Sequence, residues 1–152
     1  MSNETIREQI ILTILTGLAD VKVINGFEVE YVNVCRAKGK HDPGSLPLAV
    51  VWPKPETSSR LYGCAVNVMP IKIEVLTMPG AENVSVVSEK ILGDLIVVMD
   101  VIRKSTSLVD DMEYKSGGSE GYPDDSSGAL GVTIEYEVKY QTVSGDPFSQ
   151  PL

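Results

Sequence analysis

From Val132 to Tyr140 the chain alternates without a break, with Val132, Ile134, Tyr136, Val138 and Tyr140 on one side and Thr133, Glu135, Glu137 and Lys139 on the other. A period of two with a single apolar side predicts a half-buried antiparallel strand. The last element is therefore a strand, which leaves Ser144-Gly145-Asp146-Pro147-Phe148 and four further residues at the end of a sheet, exposed and free to touch a neighbour. Near the start the period changes. Thr5-Ile6-Arg7-Glu8 has the form of a capping box, and Ile6, Ile10, Ile14 and Leu18, with Ile11 and Leu15 beside them, share one face of a helix from about Asn3 to Leu18. Asn25-Gly26 signals a turn, after which Phe27, Val29 and Tyr31 alternate with Glu28 and Glu30 into a first strand ending near Ala37. A polar connection, Lys38 to Ser45, leads to the apolar run Leu46 to Trp52, of strand length and closed by Pro53 and Pro55. A second polar loop, Lys54 to Arg60, precedes a long third strand from about Tyr62 to Met78.

The third strand changes phase, since Val66 and Val68 are even-numbered while Ile71, Ile73 and Val75 are odd. One extra residue absorbed near Met69-Pro70, as a bulge or at an edge, is the economical expectation. Beyond Pro79-Gly80 a second helix follows, on which Val84, Val87, Ile91, Leu95, Val98 and Ile102 form one stripe, with Lys90, Asp94 and Arg103 on the polar flanks. Val86, Ile96 and Val97 lie well off that stripe and imply a second buried face, either within the same subunit or between subunits. Ser105 to Gly128 is rich in Gly, Ser and Asp and reads as a flexible excursion that has room for a short hairpin arm. The predicted order is helix, three strands, helix, excursion, strand, in one domain spanning residues 1–152 with an exposed tail at 145–152.

Charge narrows the function classes. A net charge of -8 argues against gripping a phosphate backbone, which needs clustered Lys and Arg. The excursion holds Asp110, Asp111, Glu113, Glu120, Asp124 and Asp125 against Lys115, while Arg36, Lys38 and Lys40 bring positive charge to the first connection. Two different complementary patches on one molecule favour head-to-tail association; the other reading is that both loops are simply solvated. Cys35 and Cys64 lack CxxC spacing and read as small core residues, with a bridge between neighbouring strands as the alternative. Ile10 to Leu18 could imitate the apolar part of a signal peptide, but Glu4 and Glu8 against Arg7 make the segment before it acidic, the reverse of a signal. No run approaches the length of a membrane span.

Catalytic and metal signatures are weak. The one histidine, His41, lies in a Lys-rich loop, which excludes multi-histidine metal sites. Gly117-Gly118-Ser119-Glu120-Gly121 lacks the strand before and helix after it that phosphate cradling requires. Asp110-Asp111 and Asp124-Asp125 lack the alternating ligands of a calcium loop. No cofactor is expected.

The element order, the Leu46-Pro47-Leu48-Ala49-Val50-Val51 strand, and the closing Thr133 to Tyr140 strand that ends in Gly145-Asp146-Pro147-Phe148 together resemble the tail-terminator and tail-completion (neck) proteins of long-tailed bacteriophages. The resemblance implies an α+β fold with the helices packed on one face of a mixed or antiparallel sheet. It also implies a non-enzymatic virion protein, assembled in the host cytoplasm, which forms a ring, usually a hexamer, on the head-proximal end of the tail tube. Such a ring ends tube polymerisation and joins tail to head, so its partners are further copies of itself, the tube protein and the head–tail connector or stopper. DNA passes through without specific binding, and an acidic channel would repel it, so Glu135 and Glu137 or the excursion are expected to face the lumen. The terminal turn Gly145, Asp146, Pro147 and Phe148 and the Leu46-Pro47 strand start are the residues the resemblance carries over. The long acidic excursion departs from compact relatives. Alternatives are a head-completion or stopper protein on the connector, or an unrelated small prokaryotic binding domain.

Overall fold

The structure, a computed structural model, describes residues 3–37, 46–119, 121 and 129–152. It is α+β. Helix α1 (Ile6–Ala19) and a short 3-10 turn (Val23–Asn25) precede strands β1 (Asn33–Arg36), β2 (Leu48–Pro53), β3 (Thr57–Leu61) and β4 (Cys64–Thr77); helix α2 (Val84–Ser105) and strands β5 (Asp111–Gly118) and β6 (Leu130–Val143) follow. The sheet runs β1-β2-β4-β6-β5, and β3 also pairs with β4. The sheet is mixed, because β1 and β2 are parallel and the other pairs antiparallel.

Both helices lie on one face. Odd-numbered residues of β4 and even-numbered residues of β6, directly opposite one another, form the core with the stripes of α1 and α2, among them Ile10, Ile14, Leu18, Ile91, Leu95 and Ile102. The N-terminal capping box is half made. Thr5 Oγ1 accepts from Glu8 N at 3.0 Å, but the Glu8 carboxylate turns instead to Arg36. Asn83 caps α2 by accepting from Ser85 N at 2.9 Å.

Several expectations are corrected. Among the described residues there are six strands, not four. The second polar loop contains β3, whose five residues are all exposed, so no apolar alternation marks it. The excursion begins with β5, an edge strand with only Met112 buried, so its first half is ordered sheet instead of loop. The first strand is only four residues long because Phe27 to Tyr31 does not join the ladder; Glu28 N and Val29 N donate instead to Asp94 on α2. Cys35 and Cys64 are free and lie on strands separated by β2, which rules out the bridge between neighbouring strands.

Of the two expectations for Met69-Pro70, the bulge is absent and the edge position is the one the structure shows. Strands β4 and β6 pair without a slip from Cys64↔Val143 to Thr77↔Leu130, and the irregularity lies in β5, between Tyr114 and Ser116. Pro70 fits because of what lies beside it. Strand β2 pairs with β4 from Ile71 onward and β3 with it up to Val68, so Pro70 faces the gap between them. Its carbonyl accepts from Lys54 N at 2.9 Å, and the nitrogen on the same edge meets no ladder acceptor. The phase change is therefore real in the side chains and absent from the backbone: beyond Pro70, Val68, Val66 and Cys64 point away from the helices.

The tail is held more firmly than expected. Pro147 O accepts from Ile6 N at 2.9 Å, Ser149 O from Val143 N at 2.9 Å and Gly63 O from Ser144 N at 2.8 Å. Gln150 Nε2 donates to Leu108 O at 2.7 Å. Phe148 and Leu152 nevertheless remain exposed. Among the described residues, no helix is long and apolar enough to cross a membrane.

Candidate functional site

Helix α2 is apolar on two sides and buried on one. Its stripe is in the core, but Val86, Ile96, Val97 and Val101 are 48%, 39%, 55% and 56% exposed, so no part of the described chain covers them. Three of these were marked by the sequence pattern; Val101, one turn beyond Val97, extends the ridge. A groove runs on each side of it. One, of about 920 Å³, lies between α1 and α2 and is lined by Leu12, Gly17, Phe27, Val97 and Val101, with Asp20 at its edge. The other, of about 420 Å³, lies between α2 and the edge strand and reaches Met112, Tyr114 and Tyr136. Gly17 brings the helices together at the first groove, since a Cβ there would lie 2.4 Å from Ile102 Cδ1.

A second apolar surface lies where β3, the first half of β4 and the end of β6 form a three-stranded arm. Leu61, Cys64 and Val143 are directly opposite one another in register and therefore share one face, which Val66 and Val68 continue. Leu61 is 55% exposed and Val143 36%. At the tip, Tyr62 and Gly63 have φ of 48° and 82°, the positive values that a two-residue hairpin of this hand needs at both positions. Tyr62 is 96% exposed. Asparagine or glycine would adopt that backbone without strain, whereas tyrosine is held in a conformation L side chains disfavour. The sequence pattern places this tip at the start of the third strand. Its signals were the even-numbered Val66 and Val68 and a Tyr-Gly pair between two strands.

The residues singled out for their charge are mostly engaged locally. Arg36 pairs with Glu8 and thereby ties the end of β1 to α1. Asp110 accepts from Gln141 at 3.1 Å, and Asp111 Oδ1 from its neighbour Met112 N at 2.9 Å. Lys38, Lys40, His41, Asp124 and Asp125 lie outside the described residues. Gly145, with φ of 79°, and Asp146, which accepts from Phe148 N at 3.0 Å, shape the terminal turn, leaving Phe148 half exposed. Among the described residues, no cluster of His, Cys, Asp or Glu is arranged to hold a metal ion.

The helix-free face of the sheet carries a charge ladder. Glu135 and Glu137 stand there among Glu74, Glu113, Lys72, Lys115 and Lys139. Lys139 and Lys115 bond Glu113 at 3.1 and 3.2 Å and hold its carboxyl below the usual range. On the other face Arg7 bonds Glu56 at 2.8 Å, and Tyr140 donates to the same carboxylate, which joins α1 to the base of the arm. Burial, then the nearby Asp94 charge, pushes the Tyr31 hydroxyl up. No protein-family model and no curated protein matches this chain, so a functional reading has to stand on these surfaces.

Proposed function

We propose that this is a non-enzymatic virion assembly protein, a homohexameric ring on the head-proximal end of a phage tail tube that stops tube growth and receives the head connector. The observation that carries the reading is the apolar ridge on α2. A patch of Ile96, Val97 and Val101, with Val86 exposed three turns earlier on the same helix, left uncovered by the described residues of its own chain, is the kind of surface that closes against another subunit. The Leu46-Pro47-Leu48-Ala49-Val50-Val51 segment and the closing strand with its Gly145-Asp146-Pro147-Phe148 turn add the resemblance described above. In this arrangement the helix-free face borders the channel, where Glu74, Glu113, Glu135 and Glu137 outnumber Lys72, Lys115 and Lys139 and disfavour retention of DNA.

The α1–α2 groove favours one other reading, a small binding domain whose apolar ligand lies in it. A stopper bound to the connector is a variant of the first. Light scattering on the purified chain, alone and with short tail tubes, followed by negative-stain imaging of tube ends, separates them. Rings in solution or on one end of each tube are the expected result. A monomer that ignores tubes would sink the terminator reading.

A further inference from the structure

Among the described residues, the apolar face of the arm has no element packed against it and the apolar groove between α1 and α2 has no side chain filling it. They lie toward opposite ends of α1: Ile6, at its start, bonds the terminal turn beside the arm tip, whereas the groove follows Leu12 to Asp20. From Ile6 to Asp20 is about 20 Å of helix, so the chain does not fill its own groove with its own arm. Charge matches at one point: Arg60, paired with Ala65, lies on the other side of the arm from Leu61, so it faces α1 when Leu61 faces α2. Arg60 on the arm and Asp20 at the groove edge each have no ion pair among the described residues.

We infer that the occupant of the α1–α2 groove is the β3–β4 arm of a second copy of this chain, with Tyr62 and Leu61 seated against Val97 and Val101 and Arg60 brought to Asp20. The strained backbone at Tyr62 then has a reason. An asparagine would suit the turn and a large aromatic suits the contact, and the chain carries the aromatic. A surface that projects at one end and a cleft toward the other make the contact heterologous, so each copy has one arm to give and one groove to offer, and repetition closes a ring or extends a filament. The inference rests on the ring reading and names the contact by which the ring would close.

The test uses the full chain in a Cys35→Ser, Cys64→Ser background. Tyr62→Cys combined with Thr16→Cys should give, on oxidation, a ladder of covalent species beyond two copies, while either substitution alone stops at two. Tyr62→Asn should weaken association at least about tenfold while the monomer's melting temperature holds or rises. Loss of binding from a damaged fold would lower both. A ring that survives Tyr62→Asn and gives no ladder would retain the ring and overturn this contact. A ladder that stops at two copies would overturn the head-to-tail arrangement. If a tube segment fills the groove instead, Val101→Glu would abolish tube capping with no effect on association in solution, which also overturns the inference. A chain monomeric both alone and on tubes removes the ring itself.

Discussion

The Asp94 carboxylate accepts from Glu28 N and Val29 N, both at 3.0 Å, and so fastens the segment before β1 across α2. Asp94→Ala leaves two backbone donors without their acceptor, at a cost of about 1–3 kcal/mol. Asp94→Asn keeps an acceptor and should lose less. Urea midpoints for the three chains would check the order, and equal midpoints for the wild type and the alanine variant would contradict it. Sequence alone placed Asp94 on a polar flank of its helix. The residue is buried because its partners are backbone groups of a segment that looked like a strand, and backbone donors leave no mark in a pattern of side chains.

At the scale of elements, Gly17 sets the distance between α1 and α2. Gly17→Ala would gain up to about 1 kcal/mol of helix propensity, but the new Cβ would meet Ile102 at 2.4 Å, and relieving such overlap costs about 1–3 kcal/mol. The variant should melt lower. Adding Ile102→Ala should cost less than the two single effects combined, because the second change removes the clash made by the first. Calorimetry on the cycle checks this, and strict additivity would remove the close approach as the cause. The two helices and β6 were legible in the sequence because each buries one face and so carries a full period, whether 3.6 or 2. Strands β3 and β5 were not: the first buries no residue and the second buries Met112 alone, so their partners and not their side chains decide their conformation. The exposed residues of α2 were legible as surplus, since a second apolar side is a sequence property. What covers them is not.

For the whole molecule, three tyrosines in or beside the core set an alkaline limit. Burial first, then the neighbouring Tyr114 and Asp100, pushes Tyr136 up to about 12. Tyr140 is raised by burial and by its bond to Glu56, and Tyr31 by burial and Asp94. Each folded value exceeds the unfolded value of about 10, so the native chain holds more protons than the unfolded one in that range. Their contribution is fully present below pH 10 and is lost as pH rises toward 12 and beyond. Urea midpoints should fall steadily from pH 10 upward; midpoints flat across that interval would show that these hydroxyls ionise in the folded chain. The candidate surfaces were legible only in part at this scale. The phase change at Val66 and Val68 announced an apolar side that turns away from the core, but a single period cannot say whether the backbone slips or the side chains change face.

The uninterrupted ladder settles that question and has a mechanical consequence. Because β4 and β6 stay in register for 14 residues, with the change of partner confined to the other edge at Pro70, the arm and the body of the sheet share two unbroken strands. A load on the tip at Tyr62 travels along both into the layer beneath the helices. The arm is a cantilever, stiff at its root, and bending it means bending the sheet.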